Sequence, residues 1–359
     1  MTILLLGFLI TFQIAKASEY VGILKGEKKT LEQNNRINAF LLVLFMVGGL
    51  LGVYWCHELF KGRILGDAAS DHGEKIDKML HLTVIITGAV FVLTQVLLFW
   101  FAFKYQYSEK RKVYYLPHNN TLELIWTVVP AIFLTVLVGY GLFYWFKITG
   151  DPPKNAMVVE ITGKQFSWIM RYPGKDNEFG RKYYKNISDA NDNSLGLIWS
   201  DVPELNLKAD KFAQDDIVTD KMMLVAGKPV KLIIGSRDVI HDVGLVHFRM
   251  KMDAVPGTPT TMWFTPLYTT KEMKVKTNNP DFVYEISCDQ MCGKGHYSMK
   301  GQIEVVTQAE FDVWMAQQKA KYQEVVLDKQ KKPATGADST KPAVTAANMG
   351  PDAVVAVKK

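Results

Sequence analysis

Apolar residues are concentrated in the first 150 positions of the chain, whereas polar residues, Gly and Pro dominate the rest. A helix needs about 20 mostly apolar residues to cross a hydrocarbon core of about 30 Å. Three runs meet this requirement, at 37–55, 80–103 and 122–146, and a shorter apolar run lies at 3–15. The pattern predicts a membrane α-helical region over residues 1–150, with three or four transmembrane helices that include a two-helix hairpin.

After Gly150-Asp-Pro-Pro the chain changes to short β-branched or aromatic runs separated by Gly, Pro and Asn, which is typical of strands. These runs are 157–162, 165–172, 230–234, 262–265 and 282–287. Their spacing predicts an all-β domain over residues 151–310, an antiparallel sandwich or barrel. The polar residues 173–220 are predicted to form an insertion between strands. Residues 311–359 are predicted to complete a short helix near 308–321 and to end in a disordered tail.

Basic residues mark one end of the predicted spans. They lie before the span that begins at Ile37 and after the span that ends at Phe103: Lys16, Lys25, Lys28, Lys29, Arg36, Lys104, Lys110, Arg111 and Lys112. The positive-inside rule places both stretches in the cytoplasm. We therefore expect a multi-pass protein of the bacterial inner membrane, with its β domain on the periplasmic side.

The first apolar run has two interpretations. Ala15-Lys-Ala17 resembles a signal-peptidase site, although no basic residue precedes the run. Cleavage there would reverse every later segment and leave the β domain in the cytoplasm. We favour a retained first helix with its N-terminus outside, and a cleaved signal is the alternative.

Composition excludes two classes of protein. The three cysteines, Cys56, Cys288 and Cys292, allow no disulfide framework beyond a single bridge. The net charge of +6 is spread along 359 residues and forms no nucleic-acid-binding patch, so we expect no nucleic-acid partner.

The candidate chemistry lies in one loop, Cys288-Asp-Gln-Met-Cys292-Gly-Lys-Gly-His296-Tyr-Ser-Met299. Two thiols and an imidazole suit zinc or an iron–sulfur cluster as well as copper, and the two cysteines alone suit a disulfide. A thioether favours copper over zinc. A sandwich domain needs one more ligand from another strand, and His241, just beyond a hydrophobic strand, is the best candidate.

Four motifs together resemble subunit II of the haem-copper cytochrome c oxidases. They are Cys288-x3-Cys292-x3-His296-x2-Met299, Ser236-x-Asp238-Val-Ile-His241, Lys251-x-Asp253-Ala-Val-Pro256-Gly257 and Glu123-Leu-Ile-Trp126-Thr-Val-Val-Pro130. The resemblance covers residues from about 80 to 306. The combination of a copper loop with a membrane hairpin is highly specific, because soluble enzymes that have a similar copper loop lack the hairpin.

The resemblance implies a cupredoxin domain with a binuclear mixed-valence copper centre, CuA. Its ligands would be two bridging thiolates, two imidazoles, a thioether and a backbone carbonyl: Cys288, Cys292, His241, His296, Met299 and Gln290. It also implies a function. Electrons from cytochrome c would pass through this centre to a haem in subunit I, where oxygen is reduced to water and protons are translocated.

The implied partners are oxidase subunits I and III and a cytochrome c. The sequence contains no Cys-x-x-Cys-His motif, so we expect the donor cytochrome to be a separate protein. Glu123 would admit protons to a channel in subunit I, because ionisable residues in membrane segments tend to mark proton paths. The simpler interpretation is that Glu123 only reaches the water at the interface.

The chain departs from the family pattern at two candidate residues. Gln290 stands where the family has Glu, whose carboxylate helps to hold magnesium at the border with subunit I, so we expect magnesium binding to be weakened. Phe166 replaces the first Trp of a Gln-Trp-x-Trp motif. Electrons would then be received through Phe166, through Trp168 or by another route.

Two other functions fit the loop. A membrane-tethered copper chaperone would bind one Cu(I) through Cys288, Cys292 and Met299 and transfer no electrons. A non-enzymatic sensor would use the loop as a structural zinc site. We favour the oxidase subunit over both.

Overall fold

The computed structural model describes residues 2–62, 66–108 and 111–331. Its first part consists of four helices: α1 Thr2–Lys25, α2 Glu27–Phe60, α3 Gly73–Lys104 and α4 Asn120–Thr149. Among the described residues, α2, α3 and α4 are long and apolar enough to cross a membrane, which confirms the three predicted spans. The short apolar run at 3–15 lies within α1.

Helices α2 and α3 form an antiparallel pair. Ala39 of α2 is buried, whereas most of the apolar side chains on these helices are exposed. The rings of Phe45 in α2 and Phe99 in α3 lie 6.1 Å apart between centroids. Helix α4 begins at a capped turn, in which the Asn119 side chain accepts a hydrogen bond from the Leu122 N–H.

The β domain is a sandwich of two five-stranded sheets. The strands are β1 Met157–Lys164, β2 Ser167–Tyr172, β3 Ile217–Thr219, β4 Lys221–Val225, β5 Val230–Ser236, β6 His241–Leu245, β7 Met250–Ala254, β8 Thr260–Phe264, β9 Tyr284–Cys288 and β10 Lys300–Val306. The first sheet has the order β3-β2-β1-β5-β8 and the second β4-β10-β9-β6-β7. This confirms a sandwich.

The prediction of an antiparallel sandwich is wrong for two strand pairs. Strand β1 runs parallel to β5, and β10 runs parallel to β4. Parallel neighbours are joined by long crossover connections rather than hairpins, so the local spacing of runs does not reveal them. The other pairs with a defined register are antiparallel.

The sandwich core follows the alternation of side chains along each strand. In β5, Val230, Leu232 and Ile234 point inward and are fully or almost fully buried. The sandwich domain also contains two short helices: α5 Thr270–Lys276 between β8 and β9, and α6 Gln308–Gln317 after β10. Each helix begins with a capping box. Helix α6 lies within the predicted short helix.

The stretch before α3 pairs with the sandwich. The Ala69 N–H donates to the His247 carbonyl at 2.8 Å, and the Ala69 carbonyl accepts from the Leu267 N–H at 2.9 Å. Ser70 donates its hydroxyl proton to the Phe248 carbonyl at 2.6 Å. These hydrogen bonds join the segment that precedes α3 to the sandwich.

Residues 173–217 and 319–331 form a second compact unit within the described part of the chain. It contains three short 3-10 turns, a π-helix at Gln323–Leu327 and α7 at Asp328–Lys331. Within it, the Asp216 carbonyl accepts from the Lys321 N–H at 2.9 Å. The predicted disordered tail from 332 to 359 lies outside the described residues.

Candidate metal centre

Strands β6 and β9 bring the first two candidate ligands together. They are antiparallel neighbours with Val243 opposite Cys288, so His241 at the start of β6 and Cys288 at the end of β9 lie at the same edge. Both side chains are buried, with exposed fractions of 0% for His241 and 8% for Cys288. The sheet therefore fixes one imidazole and one thiol before the loop begins.

The loop after β9 adds the remaining donors around a pair of sulfur atoms. The Sγ atoms of Cys288 and Cys292 lie 3.8 Å apart. His241 Nδ1 lies 3.8 Å from Cys288 Sγ, and His296 Nδ1 lies 3.8 Å from Cys292 Sγ. A weaker donor accompanies each thiol: the Gln290 carbonyl oxygen is 3.2 Å from Cys288 Sγ, and Met299 Sδ is 3.9 Å from Cys292 Sγ.

This spacing fits metal ligation and not a disulfide. A disulfide requires sulfur atoms about 2.05 Å apart, and both thiols are free. Metal–sulfur bonds of about 2.3 Å allow one metal ion to reach two sulfurs at the observed separation. Ligand atoms of His241, Cys288 and Cys292 all lie within 4.8 Å of one another. The donor set therefore fits a soft or borderline metal such as copper or zinc.

Asp238 orients the His241 ring. One carboxylate oxygen lies 2.8 Å from His241 Nε2, so Nε2 donates to Asp238 and Nδ1 is left to face the thiols. This is the usual outer partner of a metal-binding imidazole. The Gln165 N–H also donates to the Asp238 carboxylate, at 2.8 Å. Burial alone would raise the pKa of Asp238, but these hydrogen bonds and one from the Val239 N–H lower it.

The Cys292 thiol is protonated in the metal-free chain at neutral pH. Burial, followed by the hydrogen bond and charge of the neighbouring Cys288, raises the pKa of Cys292 to about 11. Only the thiolate binds a metal, so metal binding must displace this proton.

The aromatic residues Phe166 and Trp168 lie on two sides of the site. The Trp168 side chain is buried, with its ring centroid 5.9 Å from that of His241. The half-buried Phe166 ring packs against the ligand loop so closely that a Cβ atom on Gly295 would overlap it. Next to it, the Gln165 side-chain amide donates to the Cys292 carbonyl at 2.5 Å.

Three positions near the site had no role in it assigned from the sequence: Gly163, Asp242 and Lys251. Gly163 in β1 faces His241, and a Cβ there would lie 2.7 Å from the imidazole. On the other face of β6, Lys251 lies 3.3 Å from the buried Asp242 and 3.9 Å from Asp289 in the ligand loop. Burial raises the pKa of Asp242, although the ammonium group of Lys251 lowers it. Only the close approach of strands reveals these contacts.

Glu123 is far along the chain from these ligands, in the first turn of α4. Its side chain is exposed at the helix N-terminus. An acidic residue there interacts favourably with the helix dipole, which agrees equally with an interface position and with proton uptake.

Comparison with known proteins identifies the family. Residues 59–143 match the family model for the transmembrane domain of cytochrome c oxidase subunit II, and residues 157–306 match the model for its periplasmic domain. The alternative cytochrome c oxidase subunit 2 of Bradyrhizobium diazoefficiens is 31% identical over 283 residues, covering 78% of this chain and 91% of that protein. The chain belongs to the cytochrome c oxidase subunit II family.

Two further members of the family are also similar to this chain. Cytochrome c oxidase subunit 2 of Cereibacter sphaeroides is 24% identical over 236 residues, which is 65% of this chain and 73% of that protein. The crystal structure of the periplasmic domain of subunit II from Bradyrhizobium japonicum is 25% identical, with a TM-score of 0.30, and covers 48% of this chain and 97% of that chain.

Family membership confirms the predicted cytochrome c oxidase function. A cytochrome c oxidase subunit II has an electron-transfer role in a haem-copper oxidase, and its periplasmic domain implies a copper centre. The chain is thus a membrane protein with a periplasmic domain, and its β-sandwich is consistent with the cupredoxin fold.

Proposed function

We propose that the donor set at the edge of β6 and β9 holds a binuclear copper centre that receives electrons from cytochrome c. One observation supports two metals above all: each thiol has its own imidazole nitrogen at 3.8 Å and its own weak donor. Six donors exceed the four that a single tetrahedral metal takes. If the two thiolates bridged the metals, two ions could share the six donors.

The protein's own residues restrict how far the site can move. Cys288 and Cys292 would hold the two copper ions as thiolates, and the centre would supply one-electron transfer chemistry. His241 is held by the sheet and by Asp238, and Met299 is fully buried. A rigid set of donors keeps the reorganisation on electron transfer low, which suits a relay between cytochrome c and a haem.

Copper stoichiometry and EPR of the full-length chain in detergent test this proposal. Two coppers per chain and a spin shared over two copper nuclei are expected. Cys292→Ser should abolish the shared-spin signal, because a bridging sulfur is lost. Cys56→Ser is the matched control, since Cys56 is an exposed cysteine on α2, and it should keep both metals.

The other outcomes overturn the proposal. A single Cu(I) per chain without an EPR signal would indicate the copper chaperone. Zinc at near-stoichiometric content, without a redox response, would indicate the structural zinc loop. A spectrum of one isolated Cu(II) would exclude the bridged arrangement.

We also propose that Phe166 receives the electron at the surface and that Trp168 lies on the inner route. Phe166 is half-buried against the ligand loop, whereas Trp168 is buried beside His241. Phe166→Ala should slow electron transfer from cytochrome c several-fold with unchanged copper content. Tyr297→Ala is the control, because Tyr297 is a 91% exposed aromatic residue on the same loop. If Tyr297→Ala slowed electron transfer and Phe166→Ala did not, Phe166 would not be the entry residue.

For proton uptake we propose Glu123 as the acid that delivers protons to subunit I. Its exposed position at the start of a membrane helix supports this role. In the assembled oxidase, Glu123→Ala should slow turnover without changing copper content. Glu27→Ala is the control, because Glu27 also lies in the first turn of a membrane-spanning helix. Unaltered turnover in the Glu123 variant would leave only the interface interpretation.

We propose that magnesium binds weakly beside Gln290. The Gln290 carbonyl oxygen lies near Cys288 Sγ, but a neutral side-chain amide is a poorer magnesium ligand than a carboxylate. Gln290→Glu in the assembled oxidase should add bound magnesium or manganese, and unchanged metal content would count against the proposal.

The proposed complex contains oxidase subunits I and III and takes electrons from a separate cytochrome c in the periplasm of a bacterium. The basic residues that flank the predicted spans support an inner-membrane orientation with the sandwich outside. Protease treatment of spheroplasts should remove the sandwich, and its protection would refute this orientation.

A further inference from the structure

A cavity of about 690 Å³ opens between α2 and α3, at the end where α2 begins and α3 finishes. It lies far from the ligand loop along both helices, because α3 starts beside the sandwich and runs 32 residues away from it. Helix α2 precedes most of the segment matched by the transmembrane family model. The metal centre therefore does not account for the cavity, and Glu123 is not among its lining residues.

The lining residues are divided by polarity. Those facing the apolar runs of the two helices are Ile37, Phe40, Leu41 and Phe103, and those beyond the runs are Glu32, Arg36, Gln106, Tyr107, Ser108 and Arg111. Arg36 directly precedes the apolar run of α2, and Arg111 follows the end of α3. The cavity thus crosses from membrane depth to the membrane surface.

Among the described lining residues the charge is positive, because two guanidinium groups accompany one carboxylate. One nitrogen of Arg111 donates to the Lys104 carbonyl at 2.6 Å, which leaves its other N–H groups for a ligand. Guanidinium groups match the oxygens of a phosphate with paired hydrogen bonds. Basic pockets between membrane helices near the surface are typical sites for lipid head groups.

We propose that this cavity binds an anionic phospholipid, with its phosphate between Arg36 and Arg111 and its acyl chains along Phe40 and Phe103. A free phosphate would satisfy the arginines but leave the apolar wall exposed to water. A zwitterionic lipid would place its own cation in a site that already carries excess positive charge. The anionic lipid is the ligand that satisfies both halves of the cavity.

Native mass spectrometry of the full-length chain tests the proposal. The chain is released from detergent micelles doped with phosphatidylglycerol, with phosphatidylcholine or with inorganic phosphate. The wild type should retain phosphatidylglycerol in preference to the other two. The double variant Arg36→Gln/Arg111→Gln should retain it several-fold less.

A matched control separates the cavity from general surface charge. Lys29→Gln/Lys112→Gln removes the same charge from the same two segments without altering a lining residue, and its lipid retention should equal that of the wild type. Circular dichroism of each variant verifies that the helices remain folded. Equal losses in both double variants would indicate only surface attraction and overturn the proposal. The proposal would also be overturned if the wild type retained phosphatidylcholine as well as phosphatidylglycerol, or if inorganic phosphate displaced the lipid. Unchanged lipid retention in Arg36→Gln/Arg111→Gln would overturn it too.

Discussion

Arg249 and Asp77 form a two-point ion pair between the sandwich and the first part of α3. The Nε and Nη2 atoms of Arg249 lie 2.8 and 3.1 Å from the two carboxylate oxygens of Asp77. A further bond from Arg249 Nη1 to the Val246 carbonyl fixes the guanidinium plane. Paired hydrogen bonds of this kind need the planar guanidinium, which lysine lacks.

We predict that Arg249→Lys destabilises this junction. The Arg249 side chain is only 8% exposed, and a charged hydrogen bond of this kind contributes about 1.5–3 kcal/mol. Limited proteolysis of the full chain should show faster cleavage between α2 and α3. The comparison is Lys251→Arg, the reverse substitution at a position in β7. Equal proteolysis of wild type and Arg249→Lys would contradict the prediction.

Replacing Tyr172 by Phe should lower the free energy of unfolding of the sandwich. The buried hydroxyl donates to the Met223 carbonyl at 2.9 Å and accepts from the Met223 N–H at 2.7 Å, and burial raises its pKa. An unpaired buried N–H costs about 1–3 kcal/mol. Denaturant unfolding measures the change. Tyr297→Phe, at an exposed site, should unfold like the wild type. An equal loss of unfolding free energy in Tyr297→Phe would show that the buried hydrogen bonds of Tyr172 are not the cause.

Gly163→Ala should reduce copper content by displacing His241. The added methyl group would lie 2.7 Å from the imidazole ring and 3.2 Å from the Trp168 ring, and neither buried ring can move freely. Gly235→Ala, in the neighbouring strand β5, has open space above it and should bind copper normally. Metal analysis and the visible spectrum distinguish the two variants. Full copper occupancy in Gly163→Ala would show that the ring adjusts.

Copper loading of the metal-free chain should strengthen as the pH rises. The pKa of Cys292 is raised to about 11, so its thiol carries a proton at neutral pH that copper must displace. Each displaced proton changes the apparent affinity about tenfold per pH unit. Competition titration with a copper chelator at several pH values measures the slope. A pH-independent affinity near neutrality would contradict the prediction.

Lys251→Met should destabilise the metal-free sandwich most strongly at neutral and alkaline pH. Without the ammonium group, burial raises the pKa of Asp242 further. A carboxyl group whose folded pKa lies above its unfolded pKa costs stability as the pH rises through the folded value. The deficit should shrink in acid, where Asp242 is protonated in both states. Adding Asp242→Asn should restore the unfolding temperature at neutral pH, and failure to restore it would assign the loss to packing.

The sequence predicted much of the fold because the three membrane spans are long, nearly continuous apolar runs. Strands β3, β4, β6, β7 and β10 were not predicted, and β3 lies within the predicted insertion 173–220. Strand β6, His-Asp-Val-Gly-Leu, is buried at every position, so it lacks the alternation that marks a strand with one exposed face. The parallel pairs were missed because pairing between distant segments depends on crossover connections.

Part of the site could be predicted because most of its donors are close together in the sequence. Five of the six candidate donors lie within twelve consecutive residues, so their soft-ligand pattern is visible in the sequence. His241 was found by the expectation that a strand must supply one ligand. Gly163 and Lys251 were not singled out for this site, because their roles depend on strand register and on which face of β6 each neighbour meets.

The division of ligands between the sheet and the loop has a consequence for the metal-free protein. His241 and Cys288 are positioned by the backbone hydrogen bonds of β6 and β9, which use none of the ligand atoms. The loop from Cys292 to Met299 has little regular structure beyond one 3-10 turn. Metal binding free energy is therefore available mainly to order this loop, and loss of copper should release the loop while the sandwich stays folded. Assembly of the domain and delivery of its metal can then occur in either order.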